Sequence, residues 1–211
     1  MFMMASGALA APVVIDFSGF IDPFNNGPFT DNAALTGQIT LDDSVVPTGT
    51  SNTFENVVLN FTLTVSEPGG PVTFTSSGTG GRVQQFVGAG GLDFITVGFG
   101  DLSSGVIGGT IGGLTMTNFA IDFRGADLFV DPTILATGLT ETDFSFSNTS
   151  MRFDTTGILG LAVDRTLDTV TFSGEPQSAS IAAPGGWSLL GLGWAALSFA
   201  VRRRRAQAPR S

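Results

Sequence analysis

The chain has no cysteine, no histidine, no lysine and no tyrosine. Each absence closes a class of chemistry. Without cysteine there are no disulfides, thiolate nucleophiles or thiolate zinc sites. Without histidine there is no imidazole base for a Ser-His-Asp or Cys-His nucleophile and no imidazole metal ligand. Without lysine there is no Schiff base, phosphate-loop lysine or serine-lysine dyad. Positive charge of any kind is scarce: nine arginines stand against 18 carboxylates in 211 residues. Arg202, Arg203, Arg204, Arg205 and Arg210 lie at the C-terminal end, so only Arg82, Arg124, Arg152 and Arg165 serve the preceding body, whose net charge is −14. A surface of that sign repels phosphate backbones, and no nucleic-acid partner is expected.

What the sequence does contain is a period of two. In NVVLNFTLTVS, Val57, Leu59, Phe61, Leu63 and Val65 occupy the odd positions and polar residues alternate with them from Asn60 onward. This is the pattern of a strand with one buried and one wet face. Shorter runs of the same kind are VVIDFSGF, GQITLDD, PVTFTSS, RVQQFV, LDFITVGF, LTMTNFAIDF, TDFSFS and DTVTFSG. Clusters such as FNNGP, VPTGTSN, EPGGP, SSGTGG and GAGG separate them with the residues that tight turns require. Crossover helices are lacking. The expected fold is therefore all-β, an antiparallel β-sandwich of jelly-roll-like type over residues 11–176.

Two irregularities can be read in advance. In LTMTNFAIDF the apolar phase moves from Leu114 and Met116 to Phe119, Ile121 and Phe123, which requires one extra residue and predicts a β-bulge near Thr117 and Asn118. In FSFSNTSMRF the phase moves from Phe144 and Phe146 to Met151 and Phe153, predicting either a tight turn at Asn148 or a second bulge. The tandem IGGTIGGL reads as a local echo, since no longer period recurs.

The two ends differ from the body. Residues 181–201 carry no charge. A helix over residues 185–201 has 17 residues and would be about 25 Å long, enough for a thin membrane span. Arginines flanking such a span stay on the cytoplasmic side, so Arg202, Arg203, Arg204 and Arg205 would hold residues 202–211 inside and place the body outside. Residues 177–184 read as a linker. At the other end, Ala8 and Ala10 supply an A-x-A pattern for signal-peptide cleavage after Ala10, so residues 1–10 are expected to be the remnant of a secretory signal whose start lies upstream. The competing reading is a tail-anchored protein that lacks a secretory signal.

The order of proline motif, glycine- and leucine-rich helix and arginine cluster in IAAPGGWSLLGLGWAALSFAVRRRR resembles the PEP-CTERM sorting signal of bacterial exosortase substrates. The resemblance covers about the last 30 residues and none of the body. Where that family has Pro-Glu-Pro, this chain has Ala182, Ala183 and Pro184, so the second proline alone is matched. Gly185 and Gly186 also resemble the GlyGly-CTERM signal, and a plain single-span anchor is the third alternative. The PEP-CTERM resemblance implies export, an inner-membrane intermediate, processing near Pro184 by an exosortase-type enzyme, and association with extracellular polysaccharide.

The chemistry left to the body is that of carboxylates. A glycosidase-like acid pair would need two of them at a defined separation, which no spacing in a sequence reveals, and no enzyme is expected. Bound calcium is the one cofactor considered. In DPFNNGPFTDN, Asp22, Asn25, Asn26 and Asp31, with Asn32, could offer oxygen ligands, and Asp42 with Asp43 form a second candidate, although neither has EF-hand spacing. Asx turns account for the same residues. Both tryptophans lie in the tail and all body aromatics are phenylalanine; Phe61, Phe119, Phe123 and Phe172 fall in phase with aliphatic neighbours and are expected in the core. The resulting expectation is a non-enzymatic exported surface or matrix protein, with a calcium-dependent or glycan-binding adhesion module as the alternative.

Overall fold

Alternation turns most of the chain into strands. β1 (Val13–Phe20) buries Val13, Ile15 and Phe17 and exposes Asp16. β2 (Ala34–Leu41) buries Leu35, Ile39 and Leu41 in the same way. The computed structural model describes residues 11–21, 27–48, 52–88, 90–100, 106–154, 160–164 and 167–174. All of them belong to the first of the two units into which the chain divides, Met1–Gln177 and Ser178–Ser211. Among the described residues no helix is long and apolar enough to cross a membrane. The helix expected at 185–201 lies outside the described residues.

The remaining strands are β3 (Thr53–Glu67), β4 (Gly70–Ser77), β5 (Gly80–Val87), β6 (Asp93–Gly100), β7 (Val106–Gly108), β8 (Thr110–Ile111), β9 (Leu114–Gly125), β10 (Phe146–Asp154), β11 (Gly160–Asp164) and β12 (Leu167–Phe172). They form one antiparallel sheet in the order β11-β10-β9-β6-β5-β3-β2-β1-β12, with β4, β7 and β8 branching from it. Apart from β12, neighbours on this path follow chain order. The order is interrupted where β7 leaves β6 to pair with β4 and where β12 returns from β11 to pair with β1.

β3 is the pivot. One of its edges pairs with β2, and the other pairs first with β5 through Thr53–Val58 and then with β4 through Thr62–Glu67. The sheet thereby divides into a first wing, β4-β3-β2-β1-β12, and a second, β5-β6-β9-β10-β11. Their apolar faces meet. Phe17 of β1 stacks on Phe119 of β9 at 5.8 Å, Phe61 of β3 lies 4.6 Å from Phe119, and Phe172 of β12 meets Phe123 of β9 edge-on at 5.3 Å. Such pairs add specific geometry to the burial of large apolar area. The rings expected in the core, Phe61, Phe119, Phe123 and Phe172, are all buried there.

Bulges shape both central strands. In β10 Arg152 faces Asn118 and Phe153 faces Met116, so Thr117 is the extra residue and the predicted bulge is present. It lets Met116 and Phe119, three apart, both enter the core. β3 departs from its apparent alternation. Thr40 faces Asn60 and Leu41 faces Val58, which leaves Leu59 unpaired on a bulge, 40% exposed, while Val58 is buried in its place. A second shift follows between Glu55 and Val58, where Asn56 takes φ 55°. Gly81 of β5 accommodates the displaced backbone: it has φ 67°, and a Cβ there would come within 2.5 Å of Val58 and 2.8 Å of the Gly98 carbonyl.

β10 runs straight through Asn148, with neither the turn nor the second bulge that the phase change suggested. Ser147 and Thr149 take the core-facing positions instead. Phe146 faces outward, and Phe144 precedes the strand, packing on Phe123 and Phe172. Of TDFSFS, where strand was expected, Phe146 and Ser147 begin β10, while Thr142 and Asp143 belong to a 3-10 turn, Glu141–Asp143. In IGGTIGGL, Gly112 and Gly113, both at positive φ, make the two-residue turn joining β8 to β9.

The loop after β9 is latched by a buried side chain. Gln85 of β5 has no exposed surface; its Nε2 donates to the Pro132 and Ile134 carbonyls at 3.2 and 2.7 Å, and its Oε1 accepts from the Ala136 amide at 2.7 Å. Further on, the loop pairs with β12, where the Phe172 amide donates to the Leu139 carbonyl at 2.7 Å. An edge strand that would otherwise present bare donors is thus partly covered.

Candidate functional site

The outer face of the second wing gathers the chemistry. Register places Arg82 of β5, Gly98 of β6, Ala120 of β9 and Ser150 of β10 in one rank across four strands. Three successive small side chains sink the middle of the face. Beside this rank stand Thr96 and Asp122 on one side and Asn118 and Arg152 on the other. Together these eight residues line a groove of about 240 Å³.

Within it, Thr96 Oγ1 donates to Asp122 Oδ1 at 2.6 Å. The bond fixes one carboxylate oxygen and leaves the other to accept. Asn118 is 5% exposed, and its Oδ1 has no hydrogen-bond partner. A buried amide oxygen without a donor costs free energy of about 1–3 kcal/mol, and because this oxygen has almost no accessible surface, a donor in the groove reaches it when the Asn118 side chain turns outward. Two guanidinia against one carboxylate make the lining net positive in a body that is strongly negative.

Two residues along the strands, a ladder closes the face. Phe86 and Phe94 stack in parallel at 4.7 Å, Arg124 lies over Phe94 at 5.2 Å, and the same guanidinium lies over Phe146 at 4.8 Å. These intervals match the spacing of neighbouring strands, so four side chains from β5, β6, β9 and β10 stand face to face like plates. Their inner faces are spent on one another. Phe86 and Phe146, the end plates, are each 38% exposed, while Phe94 and Arg124 between them are covered on both faces, so the ladder stands as a wall across the sheet.

The outer face of the first wing is built differently. Thr169, Ser18, Thr36, Thr64 and Thr73 form one rank. Ser18 shares a hydrogen bond with Thr169 at 2.9 Å, Thr64 with Thr73 at 3.1 Å, and Gln38 Nε2 donates to Asp16 Oδ1 at 2.8 Å. Thr36, in the middle of the rank, lines with Gly37, Gln38, Thr62 and Thr64 a shallow recess of about 320 Å³ that holds no charged group.

Several carboxylates hold backbone. Asp93 accepts from the Leu128 amide at 2.9 Å, Glu67 from the Thr30 amide at 3.0 Å, and Asp143 from the Thr140 amide at 2.7 Å. Asp42 accepts from the Ser44 hydroxyl at 2.6 Å and its amide at 2.9 Å, and Asp131 does the same with Thr133. The hydroxyl first and the amide second hold both carboxyls below the ordinary value of 3.8. Asp42 is thus engaged in an Asx turn, the alternative to its reading as a calcium ligand. Asp31 is exposed in the turn before β2, while Asp22, Asn25 and Asn26 lie outside the described residues. Among the described residues no three Asp or Glu come together as a metal cluster. Ala8, Ala10, Pro184, Gly185, Gly186 and Arg202 to Arg205 also lie outside the described residues.

Sequence reasoning did not single out Arg82, Asn118, Asp122 or Arg152. One signal was available: three of the four body arginines sit inside strand-like runs rather than in turns. Comparison with known proteins finds no matching family model, no matching curated protein and no matching solved structure.

Proposed function

We propose that the protein is an exported, non-enzymatic surface or extracellular-matrix protein, delivered by its C-terminal PEP-CTERM-like signal and processed beside Pro184 by an exosortase-type enzyme. One observation carries this reading: a strongly acidic all-β body is followed in the same chain by the uncharged run 181–201 and then by four arginines. A bilayer sorts such a chain by solvation, since the run is stable in hydrocarbon and the guanidinia stay at the cytoplasmic interface. The body, read here as an antiparallel β-sandwich formed by the two facing wings, then stands outside. Its carboxylates support a non-enzymatic role because many are already engaged in holding amides and hydroxyls.

Mass spectrometry of the mature protein from its native host tests the proposal. The expected product ends near Pro184 and lacks Arg202 to Arg205. A chain that retains the arginines would sink processing, and recovery solely from the soluble cytosolic fraction would sink export as well.

The second reading, a glycan-binding adhesion module, is favoured by the groove on the second wing. Its calcium-dependent form predicts a thermal midpoint that rises with calcium and falls back with chelator. No response would remove calcium from the account.

A further inference from the structure

We propose that the groove on the outer face of the second wing binds a uronic-acid unit of an acidic polysaccharide. This deepens the surface-protein reading and takes from it only the class of macromolecule outside the cell. The body has four arginines among 18 carboxylates, and Arg82, Arg124 and Arg152 all stand on this one face. Two of them flank the groove itself, from β5 and β10, on either side of a floor of small residues. Planar guanidinia are the side chains best matched to a carboxylate, which they engage through paired N–H donors.

An anion alone does not fit the rest of the lining. The second oxygen of Asp122 and the unpartnered Oδ1 of Asn118 are acceptors, and both call for hydroxyl donors. A DNA phosphodiester brings charge without those donors, and inorganic phosphate holds its charge and its P–OH groups on one small centre, so that any donor it offers to Asp122 brings the charge with it. A neutral sugar brings hydroxyls and leaves the guanidinia unused. A uronic acid has both groups on one ring. The groove, at about 240 Å³, is smaller than the about 300–1,000 Å³ of sites for drug-sized ligands, which suits one ring of a chain whose other units lie across the open face. The Phe86, Phe94, Arg124 and Phe146 ladder stops the groove at one end, so Arg124 is held in the wall and does not contact the ligand.

The test titrates the full-length chain in non-ionic detergent at low salt, by calorimetry, with tetrasaccharides of galacturonate, mannuronate and glucuronate and with their methyl esters. At least one acid form is expected to bind, and its ester, which keeps every hydroxyl and loses the charge, to bind at least about tenfold more weakly. Arg82→Gln and Arg152→Gln should each weaken binding about tenfold or more, Arg124→Gln, which removes a cation from the end wall, should weaken it by less than either, and Thr169→Ala on the first wing should change it less than about twofold. Ala120→Leu, which fills the floor without touching charge, should abolish it. Cooperative thermal unfolding of each variant establishes that it is folded; Asn118→Ala stands in for any arginine variant that is not, and is expected to weaken binding. The proposal is overturned if no acid tetrasaccharide binds, if acid and ester bind alike, if the groove variants bind as the parent does, or if inorganic phosphate or a single-stranded oligonucleotide of equal charge competes as well as the sugar. Failure here leaves the export reading standing, because that reading depends on the mature termini. Loss of the export reading leaves a positive titration equally intact.

Discussion

On the outer face of the first wing, threonine and serine hydroxyls stand in a rank across β12, β1, β2, β3 and β4, bonded as the pairs Ser18–Thr169 and Thr64–Thr73. On the outer face of the second, arginines rise on either side of a floor of small residues, and a buried asparagine oxygen is left without a donor. Both wings bury phenylalanine and aliphatic side chains against the same core. The inner faces are therefore alike while the outer faces divide into one of neutral, mostly paired hydroxyls and one where charged groups flank an amide oxygen without a partner. Groups that find partners within their own face contribute to stability. Groups held open on a rigid sheet cost stability and are available to a ligand.

The sharpest way to break this contrast is to attack the shared core from the first wing. Gly37 of β2 lies under the ring of Phe17, where an added Cβ would fall 2.1 Å from the ring Cζ. Phe17 is itself buried and stacked on Phe119, so it cannot swing clear. Gly37→Val is expected to cost about 3 kcal/mol by overpacking. Chemical denaturation would measure it, and Phe17→Leu in the same chain should recover part of the loss.

A smaller effect is expected inside the second wing, where Gln85→Leu removes the latch on the loop after β9. Stranding the Ala136 amide and the Pro132 and Ile134 carbonyls should cost about 2 kcal/mol. Hydrogen exchange should accelerate first at Ala136, before the strands respond. If exchange there stays unchanged, the latch is not what orders the loop.

Smaller again is the ladder. Arg124→Ala should lower stability by about 1 kcal/mol, because its two ring contacts are partly solvated. A loss well above that, read from the thermal midpoint, would mean that the outer face of the second wing is a structural element like its inner face.

The smallest expected effect compares matched turns, Asp42 near the first wing and Asp131 near the second. Both carboxyls are held below 3.8 in the folded chain. A lowered folded-state pKa contributes stability that is present above the unfolded value and lost as pH falls through the folded one. Acidification from about pH 5 to about pH 3 should therefore lower the thermal midpoint of the parent more than that of an Asp42→Asn, Asp131→Asn variant. Equal slopes would show that neither turn contributes in this window.

Much of the fold was legible. β1 coincides with VVIDFSGF, and the bulge in β9 follows from its phase change, because a side chain with a period of two cannot change faces without an extra residue. What misled was register. Val57, Leu59 and Phe61 read as one buried row, yet pairing with β2 puts the extra residue at Leu59 and turns it outward. The strand β10 read as broken because its apolar phase moves from Phe144 and Phe146 to Met151 and Phe153; in the fold Ser147 and Thr149 share the buried face with Met151 and Phe153, and Phe144 lies before the strand. β7, β8 and β11 went unread, being short and glycine-rich or flanked by turn residues, with too few alternations to register a period. The groove was not legible at all. Arg82, Gly98, Ala120 and Ser150 are spread over nearly 70 residues of sequence, and only pairing makes them neighbours.

By itself the sequence determined which chemistries are closed, the all-β class, the location of most strands and the contrast between an acidic body and an apolar, arginine-ended tail, since each follows from residue type or from a local period. Only the tertiary structure decided the strand order, the facing of the two wings and the convergence of arginines on one outer surface. The physical reason is range. Propensity and alternation act over a few residues, whereas a rank across a sheet is set by hydrogen-bond registers between strands far apart in the chain, and no local pattern encodes which strands will lie side by side.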